Sequence, residues 1–323
     1  MTIVEARVRV EQVVVVPRNG LANRLQAWAS AAILAAEWDV PLKVVWETEP
    51  AMPATAADLF AARVVERFFT DPDLVTSLAG APHAELPRYL SRSGQALVLA
   101  GHDRGEQSFM PQLVEAVGAS TAPSTLIFIA GGKFHLPSAP NFVRQRGIFY
   151  REIAWSPEVD ERYRAGVQSR ASYAGLHVRQ TDRSLQAPPA RMIRHGLSRL
   201  ESMVPERDLF IAADTDEARE RWVTESRRLG FDPWCLPDVD RSRDRVGAIV
   251  TAAADWRALA GATGLVYSAV STFSEEASVA SGHPDRGIPL EASVAVQRLR
   301  AAGAQARSVF TYPARRIRAT RSG

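Results

Sequence analysis

The stretch Gly175–Arg183, GLHVRQTDR, decides the reading of the chain. It opens as a strand: Tyr173, Gly175, Leu176 and Val178 continue an apolar, β-prone run from Ser172. The run then gives way to polar residues and to Pro188 and Pro189. His177, Arg179 and Asp182 therefore fall where a strand passes into a loop. In open α/β sheets ligands collect at the carboxyl ends of strands. A guanidinium placed there holds a diphosphate through paired hydrogen bonds of fixed geometry. The same spacing also describes an Arg–Asp pair on a surface turn, so the flanking sequence has to choose between the two.

Working outward, strands and helices alternate on both sides. Downstream, Ala190–Met203 reads as a helix and Asp208–Ala213 as a strand, ended by Asp214-Thr215-Asp216, which caps a helix to about Leu229. Phe231–Leu236 is a strand, Asp244–Ala260 a helix and Gly264–Ser268 a strand. Thr272–Ser281 is a helix entered through Ser271, and Leu290–Ala302 is the last helix. Upstream, Gln12–Val16 is a buried strand, Pro17–Gly20 a turn, Leu21 to about Val40 an alanine-rich helix, and Leu42–Trp46 a strand, which together make a βαβ unit. Asp58–Phe69 is predicted as one amphipathic helix, Ala96–Ala100 as a strand, Phe109–Val117 as a helix and Thr125–Ala130 as a strand. From Ser138 to Arg146 periodicity is lost, and Pro157–Ser169 is helical again. Two α/β halves in succession predict an α/β fold of two Rossmann-like domains facing across a cleft, residues 1–155 and 156–323.

Composition narrows the function. The chain has 323 residues, 46% hydrophobic and 23% charged, with a formal charge of only +3, which gives no electrostatic case for nucleic acid. The arginines at 315, 316, 318 and 321 read as a solvated tail. A single cysteine, Cys235 between Trp234 and Leu236, excludes an intrachain disulfide and a Cys-based zinc site, and reads as a buried thiol. The six histidines show no ligand spacing, so no metal site is expected. Trp28, Trp38, Trp46 and Trp222 lie on apolar faces and read as core. Neither a signal peptide nor a membrane span is visible, and a cytoplasmic protein is the default expectation. Dinucleotide, P-loop, G-x-S-x-G and H-E-x-x-H motifs are missing, which argues against those chemistries.

Four separated segments then align with one family. GLANRLQAWASA (Gly20–Ala31) resembles the Gly-x-x-Asn-x-Arg/Gln-Leu motif that opens the GDP-fucose-dependent fucosyltransferases. GLHVRQTD (Gly175–Asp182) resembles their His-x-Arg-x-x-Asp motif. FIAADTDE (Phe210–Glu217) is similar to their Ala-Thr-Asp-Asp segment, and DWRALAGATGLVYSAVSTFSEEAS (Asp255–Ser278) to their last block. The superfamily includes the protein O-fucosyltransferases, the alpha-1,6-fucosyltransferases and the nodulation-type chitin-oligosaccharide fucosyltransferases. Order and spacing match across residues 12–280. The family's leading Gly-Gly is here Asn19-Gly20, and its frequent second arginine is Gln180.

The resemblance implies a GT-B fold and an inverting, metal-independent transfer of a sugar, L-fucose first, from a GDP-sugar to a hydroxyl of a glycan or small molecule. No cofactor beyond the donor substrate is implied. It places Gly20, Asn23, Arg24, His177, Arg179, Asp182, Asp214, Asp255, Ser271, Thr272, Phe273 and Ser274 at the donor. The residue chemistry agrees: without a metal, a departing diphosphate needs an arginine and backbone amides. Arg179 supplies the first and the Ser271–Ser274 turn, opening a helix, the second. His177 reads either as an orienter of Arg179 or as a satisfied core histidine. The acceptor's base belongs on the N-terminal half, where His102, Asp103 and Glu106 share a strand-end loop, with Asp103 and Glu106 as the carboxylate candidates. The alternatives are a non-catalytic nucleotide-sugar-binding protein of the same fold and a transferase using another GDP-hexose.

Overall fold

The computed structural model describes residues 10–86, 91–93, 96–100, 124–134, 141–179, 188–237, 245–269 and 271–290. Two five-stranded sheets carry these residues. In the first, β1 (Gln12–Pro17) lies parallel between β2 (Leu42–Val44) and β5 (Thr125–Ala130). Its four valines, Val13–Val16, are fully buried, which is what an apolar run without alternation requires of a central strand. β4 (Ala96–Ala100) extends the sheet parallel to β5, and β3 (Ser91–Ser93) ends it antiparallel, giving the order β2-β1-β5-β4-β3. Helix α1 (Leu21–Trp38) returns from β1 and buries Leu25, Trp28, Leu34 and Trp38 against the sheet. Trp28 packs edge-on to Phe60, Phe68, Phe69 and Phe149, so this tryptophan and Trp222 are core as expected.

The second sheet is entirely parallel. Its strands are β6 (Ala174–Val178), β7 (Asp208–Ala213), β8 (Asp232–Trp234), β9 (Leu265–Ser268) and β10 (Gly287–Leu290), in the order β10-β9-β6-β7-β8. The chain steps from β6 outward to β8, then crosses back to lay β9 on the other side of β6. The order thus reverses between β6 and β9, and the crevice outside such a reversal is where open α/β sheets bind ligands. The intervening helices are α7 (Ala190–Met203), α8 (Asp216–Arg228), α9 (Val246–Ala260) and α10 (Thr272–Ala280). Leu176 and Val178 face Ile193, Leu197 and Leu200 of α7, while Gly175 on the other face lets α9 and β9 approach closely.

Several expectations are corrected. Asp58–Phe69 is not one helix but two, α2 (Ala56–Leu59) and α3 (Ala62–Phe68). Phe60 turns out of the helix to bridge Trp155 and stack on Phe69, because burying that ring is worth more than one continuous turn. A short helix, α4 (Asp73–Ala79), and β10 were not expected. Leu290 ends that strand, while the rest of the expected helix to Ala302 lies outside the described residues, as do Phe109–Val117 and the arginine-rich tail. Residues 142–146 are helical: α5 spans Phe142–Glu152, followed by α6 (Pro157–Val167). Cys235 is half-buried rather than buried.

Helix α5 welds the halves together. At Gly147 a Cβ would lie 2.6 Å from the Val279 carbonyl oxygen, so only glycine lets α5 lie so close against α10. One apolar core runs from β1 through Tyr150, Trp155 and Trp256 to β9. Inside it Glu276 of α10 is fully buried and receives hydrogen bonds from Gln26 Nε2 of α1 at 2.7 Å and Tyr150 OH of α5 at 2.6 Å. Arg146 Nε approaches the same carboxylate to 3.3 Å without the alignment of a hydrogen bond, so it acts there as a charge. Burial, with Glu276 next in effect, pushes the Tyr150 phenol well above its usual range, and Tyr150 stays a donor.

Candidate active site

The second sheet assembles most of the expected donor residues at its reversal point. Val178 pairs with Ala213 in register, so Arg179 and Asp214 emerge side by side as the first residues beyond β6 and β7. His177, one residue deeper, is buried, and its Nδ1 lies 2.9 Å from Ser274 Oγ of α10. The contact from Ser274 Oγ to Ser271 O is longer, 3.4 Å. Nδ1 and Ser274 Oγ therefore share one hydrogen bond, whose direction follows the ring's tautomer. Phe273 lies tilted against the imidazole at 5.3 Å between centroids.

Burial drives the His177 pKa down from 6.5 to about 4; the Asp214 charge opposes the shift and that of Arg179 adds to it. At neutral pH the site thus holds a neutral imidazole beside a fixed cation. His177 acts on the Ser271–Ser274 turn directly, which the sequence left open between orienting Arg179 and filling the core.

The amino end of α10 has an unusual cap. Ser271 occupies the N-cap position, but its side chain makes no capping hydrogen bond. Its hydroxyl is fully buried and, among the described residues, has no hydrogen-bond partner. An ordinary N-cap would accept from the second or third amide of the helix, and a buried hydroxyl left without a partner costs about 1–3 kcal/mol. The capping reading of Ser271–Ser274 with Glu275 therefore fails. Glu275 turns instead to Lys133 Nζ, 2.6 Å away on the segment after β5, which joins the first sheet to the first turn of α10.

The first motif lies at the start of α1. Arg24 is fully buried: Nε bonds Asn19 O at 2.7 Å, Nη1 bonds Glu47 O at 2.7 Å and Nη2 bonds Glu49 Oε1 at 2.6 Å. Three of its five N–H groups, one on each nitrogen, are thus engaged by the protein and tie Arg24 to the Glu47–Glu49 segment. Burial lowers its pKa and the Glu49 contact raises it. Gly20 is the N-cap of α1, with no side-chain cap, and open space lies where its Cβ would point; Asn23 is in the first turn and half-buried.

Asp255 is set back from the strand ends. It is the tenth residue of α9, about 13 Å along the helix axis from its start. Asp182, Asp103, Glu106 and His102 lie outside the described residues. Beside the first motif stands a cluster that sequence reasoning missed: Glu47 Oε2 pairs with Arg18 Nη1 at 2.8 Å, and His83 Nε2, 2.6 Å from Arg18 Nη2, lies 2.9 Å from the same carboxylate oxygen. Glu47 and Glu49 follow β2 directly, so applying the strand-end rule to β2 would have found them. Among the described residues no group of acidic, histidine or cysteine side chains is placed to hold a metal, and no helix is long and apolar enough to cross a membrane.

No protein-family model and no curated protein matches the chain. Solved structures do. Arabidopsis thaliana FUT1, a point mutant in complex with GDP, aligns over 87% of this chain and 73% of its own, with a TM-score of 0.56 and 16% identity. The fucosyltransferase NodZ from Bradyrhizobium aligns over 83% and 91%, with a TM-score of 0.55 and 17% identity. POFUT1 in complex with GDP aligns over 86% and 98%, with a TM-score of 0.50 and 12% identity. The chain therefore has the two-sheet α/β, GT-B architecture that these fucosyltransferases share.

Proposed function

We propose that the chain is an inverting, metal-independent glycosyltransferase that moves a sugar, L-fucose first among candidates, from a GDP-sugar to a hydroxyl of a glycan or small molecule. The observation that carries this reading is the buried Ser271 hydroxyl, without a partner among the described residues, at the uncapped end of α10, whose Ser274 meets His177 of β6 two residues before Arg179. An anion there gains free helix amides, a hydroxyl without another partner and a guanidinium. The likeness to structures solved with GDP supports the same ligand.

In this reading Arg179 lies on the β-phosphate and neutralises the charge that grows as the glycosidic bond breaks. Neutral His177 holds Ser274, and through it the turn, without adding a charge of its own. Asp214, with Asp182 and Asp255 as the further candidates, faces the nucleoside, where a carboxylate accepts from the N1–H and N2–H₂ edge of guanine. Gly20 and Asn23 line the opposite wall.

The test is GDP release from a panel of GDP-sugars, with and without a chelator. Release from GDP-fucose that survives the chelator supports the proposal. Preference for another GDP-hexose would reassign the sugar, and GDP binding without release from any of them would favour the non-catalytic alternative.

A further inference from the structure

A transferase of this kind leaves one proton to assign, that of the acceptor hydroxyl. In an inverting displacement it departs on the side opposite the diphosphate, so the base belongs on the first sheet. One carboxylate there is held as a base would be. Glu49 Oε1 receives the backbone N–H of Asn19 at 2.9 Å and Arg24 Nη2 at 2.6 Å. Arg24 is itself locked by its bonds to Asn19 O and Glu47 O and lies 4.8 Å over the Trp46 ring. Asn19 presents its amide from a left-handed backbone, φ 67°, which is uncommon for a residue other than glycine. The second oxygen, Oε2, has no hydrogen bond among the described residues and is open to solvent. Glu47 next to it differs, because its Oε2 is already paired with Arg18 at 2.8 Å.

The position suits the task. Glu49 is tied to the backbone of Asn19, the residue before Gly20, the N-cap of α1. Asn19 Nδ2 reaches Gly131 O at 3.4 Å, and two residues on, Lys133 holds Glu275 in the first turn of α10. A short run of contacts thus joins the fixed carboxylate to the helix whose amino end takes the diphosphate. We infer that Glu49 is the general base of the transfer, aimed by Arg24. This inference rests on the transferase reading. The acceptor hydroxyl gives its proton to Glu49 Oε2 while its oxygen bonds to the anomeric carbon. The bond from that carbon to the β-phosphate oxygen breaks, its electron pair leaves with GDP, and Glu49 then returns the proton to water. The first-motif arginine thereby has a role that does not require it to touch the donor.

The test follows GDP release from GDP-fucose with water as acceptor, and separately with azide, a nucleophile that brings no proton. Glu49→Gln keeps the acceptor atom for Asn19 and Arg24, so the fold is preserved. It should lower water-driven release by ~10²–10⁴-fold, leave the GDP dissociation constant within about twofold, and leave azide-driven release at the wild-type rate. Arg24→Lys, which removes the fork but not the charge, should lower water-driven release while azide-driven release and GDP affinity hold. Wild-type water-driven release by Glu49→Gln would overturn the assignment. So would equal loss of the azide reaction, or loss confined to Asp103→Asn or Glu106→Gln. A wild-type protein that does not bind GDP would instead defeat the transferase reading itself, and this inference with it.

Discussion

Replacing His177 with Asn tests whether the centre of the site is neutral by design of its surroundings. Asn keeps a hydrogen-bonding atom close to the position of Nδ1 and so can still meet Ser274 Oγ. The imidazole titrates at about 4 in the fold against 6.5 in an unperturbed chain. Between those values the unfolded state binds the proton and the folded state does not, so wild-type stability falls as pH drops through this window and is flat above it. The full effect is on the order of 3 kcal/mol, of which roughly 1 kcal/mol is lost by pH 5.5 and most of the rest by pH 4. Urea unfolding of both proteins at pH 7, 5.5 and 4 isolates the term, because other carboxyl and histidine contributions cancel in the difference. Wild type should lose about 3 kcal/mol more than His177→Asn between pH 7 and pH 4. Parallel losses in the two proteins would mean that His177 ionises freely and that the buried, neutral description is wrong.

Arg179→Ala should lower kcat by ~10²–10³-fold, more than it weakens donor binding, and Arg179→Lys should recover little, since a point charge cannot span two phosphate oxygens; a folded Ala variant with wild-type turnover in GDP release would remove Arg179 from the mechanism. Ser271→Ala deletes a hydroxyl that has no partner among the described residues, so the ligand-free protein should be as stable as wild type or up to about 1 kcal/mol more stable, while GDP affinity by calorimetry falls about tenfold. Unchanged GDP affinity would show that the hydroxyl does not meet the ligand. Tyr150→Phe leaves the buried Glu276 carboxylate short of a donor and should cost about 2 kcal/mol in chemical denaturation, with part recovered in a Tyr150→Phe/Glu276→Gln double variant. A loss under about 0.5 kcal/mol would mean that water or Arg146 already satisfies the carboxylate.

The strands of this fold were legible because most are uninterrupted apolar runs ended by turn residues. Gln12–Val16, Thr125–Ala130 and Asp208–Ala213 were read within a residue of their observed ends. Helix α7 was read to the residue, since its apolar positions recur cleanly on one face. The break at Phe60 was not legible: residues 58–69 keep a helical pattern, and only the distant Trp155 draws Phe60 out of it. Helix α5 was missed in part because its inner face is made of Arg146, Gly147 and Tyr150, which carry no apolar periodicity. The same limit applies to the site. Strand-end logic found His177, Arg179 and Asp214, which one sheet sets side by side. It could not show that Arg24 is held by Asn19, Glu47 and Glu49, because that depends on how two loops fold over one side chain. Nor could it foresee Gln26, Tyr150 and Glu276 meeting, since they come from helices 126 and 250 residues apart in pairwise separation.

The donor assignment is tested most directly by thermal unfolding with nucleotides. The account predicts that GDP and GDP-fucose raise the melting temperature, and that GDP at ~100 times its dissociation constant adds ~2.7 kcal/mol of stability. UDP, which carries the same diphosphate but lacks the purine edge expected at Asp214, should give no comparable shift. Equal stabilisation by GDP and UDP, or none by either, would contradict a GDP-sugar site at the reversal point of the second sheet.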